Sequence, residues 1–283
     1  MRKAKTVSEM TAKELEKIRK VKYFLLDMDG TIYLDTTVID GTHEFLAEVK
    51  KQGKRIFYIT NNSSKAVSQY VEKLAKMDIR SEEEDFYTSV DATVKYLDDE
   101  MPGAKLFVIG TDALKDLLRL KGFETVEKYE KEEAKRPDFV LLAFDTSLTY
   151  DKLSTACMYL QDGVKYIATH PDKVCPLDGF HSMPDAGSFM DLLECATGRR
   201  PSFIAGKPEP TMILMIMEKL GCAKDEIAVV GDRLNTDILS AVNAGVVSVC
   251  VLSGEATEKD VKKSKFAPDF VFKSVKELCE AIK

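Results

Sequence analysis

Four polar clusters, each placed just after an apolar, β-rich run, hold the residues of this chain that could do chemistry. The first is Asp27-Met28-Asp29-Gly30-Thr31, in which two carboxyls stand one residue apart and a glycine permits the sharp turn needed where a strand ends. Thr60, followed by Asn61 and Asn62, closes the run 55–60, Lys207 follows the run 202–205, and Asp232 follows the run 227–230. This set suits phosphate. One carboxylate can attack phosphorus and carry it as an acyl phosphate, while a second protonates the leaving oxygen and then activates water. An anionic nucleophile is repelled by an anionic phosphate unless cations intervene. The candidates are a divalent ion held by Asp27 and Asp232, and the ammonium of Lys207. Oxygen ligands together with phosphate favour Mg2+. Asp237 is spaced to hold a metal-bound water. Thr60, the amides of Asn61 and Asn62, and those of Met28 and Asp29 would receive the phosphate oxygens.

The elements that must position these groups alternate. Strand patterns at 23–26, 55–60, 106–109, 139–144, 166–169, 202–205, 227–230, 246–252 and 270–272 are separated by helical patterns, among them 42–52, 64–77 and 209–220. Thr11 and Glu14 form a capping-box pattern that predicts a short leading helix. The alternation predicts an α/β fold with a Rossmann-like, doubly wound parallel sheet, whose strands present their carboxyl ends, and hence the four clusters, along one edge. Between Thr60 and Lys207 lie 207 − 60 − 1 = 146 residues, far more than one returning helix needs. The patterns at 106–109, 139–144 and 166–169, with helices at 113–120 and 150–161, predict a second, small α/β unit there.

Order, spacing and strand context of Asp27-x-Asp29-Gly30-Thr31, Thr60, Gly206-Lys207-Pro208 and Gly231-Asp232 with Asp237 resemble the four motifs of the haloacid dehalogenase superfamily. The phrases Ile59-Thr60-Asn61-Asn62-Ser63, Gly206-Lys207-Pro208-Glu209-Pro210 and Gly231-Asp232-Arg233-Leu234-Asn235-Thr236-Asp237-Ile238 are similar to the NagD-like, para-nitrophenylphosphatase branch in particular. The resemblance implies a Mg2+-dependent phosphomonoesterase acting on nucleotide, sugar or small organic acid phosphates. Asp27 would be the nucleophile and Asp29 the acid and base. Thr60 and Lys207 would stabilise phosphate and intermediate, and Asp27, Asp232 and the Asp29 carbonyl would bind the metal, supported by Thr31 and Asp237. An Asp at position 29 favours ester hydrolysis over dehalogenation. The branch carries a large cap between its second and third motifs, which places the core at 1–80 and 185–283 and the cap at 81–184. The resemblance also makes the loop 169–176 the cap's substrate-facing element, through His170, Asp172 and Cys175. His170 departs from the Asn usual there and, read alone, is a solvated loop histidine. Two alternatives use the same residues: a phosphomutase or phosphotransferase, and a phosphate-ligand binding protein of low turnover. Cap-mediated dimers occur in this branch, so the resemblance allows a homodimer.

Composition excludes other classes. With 283 residues and 45% hydrophobic content the chain can bury two cores. Its 41 Lys and Arg against 47 Asp and Glu give 41 − 47 = −6, with no basic stretch to grip nucleic acid. The longest apolar runs fall well short of the roughly 18 residues of a membrane span, and no apolar stretch before Val21 could serve a signal peptide. Six cysteines stand singly, four of them (Cys157, Cys195, Cys250, Cys279) in apolar patterns, which reads as reduced core thiols in a cytoplasmic protein. The stripe Met212, Met215 and Met217 reads as core, and His43 as surface; His170, Cys175 and His181 are too irregularly spaced for zinc.

Overall fold

The computed structural model describes Lys5 and residues 7–176 and 181–283; residues 1–4 and 6 of the expected core and 177–180 of the expected cap lie outside the described residues. In chain order the strands are β1 (Tyr23–Leu26), β2 (Tyr33–Leu34), β3 (Thr37–Val38), β4 (Arg55–Thr60), β5 (Phe86–Thr88), β6 (Lys105–Ile109), β7 (Glu124–Thr125) and β8 (Phe139–Leu142). They continue with β9 (Lys165–Ala168), β10 (Val174–Pro176), β11 (Ser182–Pro184), β12 (Phe203–Ile204), β13 (Ile227–Gly231), β14 (Val247–Val251) and β15 (Phe270–Phe272).

The chain divides into two compact units. The first comprises Met1–Thr60, Val67–Tyr87 and Lys207–Lys283. Its sheet has the order β15-β14-β13-β1-β4-β5, with parallel pairing from β15 through β4. Strands β13 and β14 are buried at every position, the signature of parallel strands covered on both faces. Alternate residues feed opposite cores: Val247, Val249 and Val251 meet the helices Thr42–Lys51 and Val275–Ile282, while Cys250 and Val271 meet Leu234, Ile238 and Val261. This is the doubly wound architecture that the alternation predicts. The leading helix, Ala12–Lys20, begins as expected: Thr11 Oγ1 accepts from Glu14 N at 3.2 Å, and Thr11 N donates to the Glu14 carboxylate at 2.8 Å.

The second unit comprises Asn61–Ala66 and Thr88–Gly206. It has its own parallel sheet, β12-β9-β8-β6-β7. Helices Tyr150–Gln161 and Ala186–Thr197 cover one face, where Val140 and Leu142 point, and Ser89–Glu100 with Asp112–Leu120 cover the other, where Phe139 and Leu141 point.

Several expectations need correction. The second unit runs to Gly206 rather than Pro184, because Phe189, Met190 and Leu193 of the helix Ala186–Thr197 complete its core and β12 pairs with β9 (Phe203↔Ile167, Ile204↔Ala168). The strand before Lys207 is therefore not one of the core sheet. Cys195 is exposed and Cys157 half-buried; only Cys250 and Cys279 of the apolar-pattern cysteines are core thiols. Met212 is buried, whereas Met215 and Met217 are half-buried. Among the described residues no helix is long and apolar enough to cross a membrane.

Candidate active site

At the carboxyl edge of the first unit's sheet, Asp27 follows β1 and donates its backbone N–H to Val230 O at 2.9 Å, which fixes it beside the end of β13. The chain then turns at Gly30, whose φ of 80° lies in the left-handed region. A Cβ on Gly30 would lie 2.3 Å from Asp232 Oδ2, and one on Gly231 would lie 2.3 Å from Asp237 Cβ. These glycines let two acidic side chains pack directly on backbone. Lys207, 3% exposed, reaches in and donates to Asp27 Oδ1 at 2.6 Å, to Asp237 Oδ1 at 2.6 Å and to Ile59 O at 3.3 Å.

Carboxylate oxygens of Asp27, Asp232 and Asp237 lie within 4.8 Å of one another. With all groups ionised, three carboxylates and one ammonium would sum to −3 + 1 = −2. Burial, joined by the neighbouring Asp237 and Asp232, outweighs Lys207 and pushes the Asp27 carboxyl up to about 8. Burial and Asp237 push Asp232 up to about 7. Burial opposes the charge on Lys207, but Asp237 and Asp27 overcome it and its pKa is raised. Asp237 Oδ2 accepts from Arg233 N–H at 3.1 Å, so this carboxylate is held by Lys207 on one oxygen and by backbone on the other. Asp232 Oδ2 accepts from Glu255 N–H at 2.7 Å, while its Oδ1 is buried with no hydrogen-bond partner. A buried oxygen left so is costly, and a divalent cation would supply the positive charge that lets these crowded carboxyls ionise together. The donor set fits Mg2+.

Met28 is buried, and Thr31 is fully buried with its hydroxyl unpaired. Asp29 is exposed and its carboxylate is not one of the clustered three, which fits a group that must reach a substrate. Thr60 ends β4 at 8% exposure. Asn61 and Asn62, next in the chain, belong to the second unit. There the Asn61 side-chain amide donates to both oxygens of Asp172 at 3.3 Å, and Asn62 Oδ1 accepts from Ser64 N–H at 2.9 Å. His170 is 0% exposed, not a solvated loop residue; Cys175 is half-buried on β10, paired with Met183 of β11. Among the described residues His170, Cys175 and His181 form no metal cluster.

The sequence reading missed the loop after β14. Ser253 Oγ donates to Gly30 O at 2.7 Å, Glu255 N–H holds Asp232, and Ala256 N–H donates to Asp232 O at 3.0 Å. A Cβ on Gly254 would lie 2.0 Å from Asp232 Oδ2. The available signal was a Ser-Gly pair directly after a core strand, at the same edge as the four clusters.

Comparison with known proteins agrees with this geometry. A family model for haloacid dehalogenase-like hydrolases matches residues 24–124, and a second, HAD-hydrolase-like, matches residues 204–278. An acid sugar phosphatase of Staphylococcus aureus is 35% identical over 92% of this chain and 97% of its own length. The structure of a 4-nitrophenylphosphatase from Thermotoga maritima superposes with a TM-score of 0.86 at 42% identity, covering 94% of this chain and 99% of that one. A glycerol phosphate phosphatase from Mycobacterium tuberculosis, solved in complex with magnesium, gives a TM-score of 0.84 at 26% identity, covering 93% and 78%. The chain thus belongs to the haloacid dehalogenase-like hydrolases, in their NagD-like, p-nitrophenylphosphatase branch.

Proposed function

We propose that this chain is a Mg2+-dependent phosphatase that hydrolyses small phosphomonoesters through an aspartyl-phosphate on Asp27. The observation that carries the reading is the trio of half-buried Asp27 with buried Asp232 and Asp237 around the ammonium of Lys207, with Asp232 Oδ1 left unpaired. Asp27, Asp232 and the Asp29 carbonyl would hold Mg2+, which supplies the positive charge that lets an anionic nucleophile meet an anionic phosphate. A carboxylate oxygen of Asp27 attacks phosphorus; the phosphorus–ester oxygen bond breaks, and Asp29 gives its proton to the departing alkoxide. Asp29, now a carboxylate, takes a proton from water as that water attacks the acyl phosphate, which releases inorganic phosphate and restores Asp27. Lys207, clamped by Asp237, keeps its charge and draws on the same Asp27 oxygen set, so it orients the nucleophile. Thr60, with Asn61 and Asn62 beside it in the chain, receives phosphate oxygens. The named relatives act on sugar and glycerol phosphates, so sugar phosphates lead the substrate panel.

The test is release of p-nitrophenolate from p-nitrophenyl phosphate with wild type and Asp27→Asn, in Mg2+ and in chelator. The reading expects activity only with both Asp27 and Mg2+. Turnover by a folded Asp27→Asn variant would overturn it.

A further inference from the structure

The segment that follows Thr60 is held by a buried polar network in the second unit. Ser89 Oγ donates to Asn61 O at 2.6 Å, and the Asn61 side chain is pinned by both oxygens of Asp172. Ser63 Oγ accepts from Phe144 N–H at 3.0 Å and from Thr169 Oγ1 at 3.3 Å. With those two donors taken up, the Ser63 hydroxyl proton is available to His170 Nε2, 3.4 Å away. His170 Nδ1 faces Asp172 Oδ2 at 3.7 Å and has no hydrogen-bond partner of its own. On its other side His170 Nε2 lies 3.6 Å from Asp185 Oδ1, the oxygen that accepts from Ala186 N–H at the start of the helix Ala186–Thr197. The loop carrying His170 and Asp172 is itself fixed, because a Cβ on Gly187 would lie 2.3 Å from Pro171 O.

From this geometry we infer that Asp172, braced by the buried His170, is a positioning residue: it acts through the Asn61 amide to fix the segment next to Thr60 for binding the phosphoryl group, and does not touch the leaving group. The network has a chemical logic. A carboxylate accepting two hydrogen bonds from one amide fixes both the rotamer of Asn61 and the path of the backbone that follows it. The imidazole of His170, wholly buried and wedged between Asp172 and Asp185, packs beside the Asp172 carboxylate and holds it in register. Substrates and inorganic phosphate share the phosphoryl end and differ in the leaving group. A residue acting through Asn61 therefore affects both alike, whereas a leaving-group contact affects only esters.

This inference rests on the proposed phosphatase reading, and the experiment separates the two. Asp172→Ala, Asp172→Asn and His170→Gln are assayed with p-nitrophenyl phosphate for kcat and KM and with inorganic phosphate as competing product for Ki, alongside wild type and Asp27→Asn. Asp172→Ala is expected to raise KM and Ki together by about tenfold, with kcat within about threefold of wild type. Asp172→Asn keeps one oxygen acceptor for the Asn61 amide and is expected to recover most of that loss; His170→Gln is expected to raise KM and Ki together by about threefold. A scaffold role alone would lower the melting temperature and the active fraction, and so kcat, with KM and Ki unchanged. That result in His170→Gln overturns the inference even where Asp172→Ala fails to fold, as does a rise in KM without a rise in Ki in any of the variants. Hydrolysis by Asp27→Asn would instead overturn the phosphatase reading itself.

Discussion

Gly254→Ala is the smallest change that should disable the metal pocket without touching a carboxylate. The added Cβ would stand 2.0 Å from Asp232 Oδ2, 2.6 Å from its Cγ and 2.8 Å from Gly30 Cα. Ordinary contact begins near 3.4 Å, so the carboxylate must retreat by 3.4 − 2.0 = 1.4 Å, and it is only 3% exposed. Gly30 Cα blocks relief on the other side, since it is backbone. Asp232 then loses the Glu255 N–H at 2.7 Å, a charge-assisted hydrogen bond of about 1.5–3 kcal/mol, and overpacking adds about 1–3 kcal/mol. Disturbing the groups that orient a metal ligand costs about 10–100-fold in metal affinity. The expected result is a Mg2+ half-saturation raised by about 10–100-fold in p-nitrophenyl phosphate hydrolysis, with a melting temperature lowered but a cooperative transition retained. A folded Gly254→Ala protein with wild-type Mg2+ dependence would refute the assignment of Asp232 to the metal.

Other outcomes follow from the same pocket and from its surroundings. In chelator, Asp27 and Asp232 keep protons up to about 8 and about 7 that the unfolded chain releases near its ordinary 3.8; the folded state binds more protons across that window, so the melting temperature should fall as pH rises from 4 to 8. Saturating Mg2+ should flatten that fall and release protons on binding, which calorimetry in buffers of different ionisation enthalpy measures; a metal-free melting temperature that rises over this window would contradict the buried-charge account. Asp237→Ala removes one of the two carboxylates that clamp Lys207, and Asp27 with Ile59 O remains. Its stability loss should sit at the low end of the about 3–5 kcal/mol for a broken buried pair, while kcat/KM falls about 100-fold through misplacement of Lys207, both read by denaturation and initial rates. Thr11→Ala breaks the capping box of the leading helix and should cost about 1 kcal/mol, with hydrolysis unchanged.

Much of this was legible in the sequence, for reasons that differ by residue. Asp27 and Asp232 follow continuously apolar strands, β1 and β13, whose place in a covered parallel sheet the composition dictates, so their convergence could be read in advance. Lys207 reaches the same edge by another route. The run 202–205 reads as a strand of the core sheet, but β12 is two residues long and pairs with β9 of the second unit. Periodicity reveals that a short apolar run is a strand and not which sheet it joins. The same ambiguity moved the unit boundary from Pro184 to Gly206. His170 illustrates a different limit: flanked by Thr169 and Pro171 it has the local chemistry of a loop, and its burial comes from Ser63, Asp172 and Asp185, partners that no local pattern connects. The glycine at 254 was visible, but its purpose depends on a carboxylate 22 residues earlier that only folding brings to it.

The covalent intermediate on Asp27 is the central claim, and trapping it tests that claim most directly. Asp29→Asn, mixed with p-nitrophenyl phosphate in Mg2+ and quenched in acid within one turnover, should show a phosphoryl adduct by mass spectrometry on the peptide that contains Asp27, since the variant lacks the base that activates water. No adduct should form in Asp27→Asn. An adduct on another residue, or nitrophenolate release at the wild-type rate from Asp27→Asn, would contradict the account.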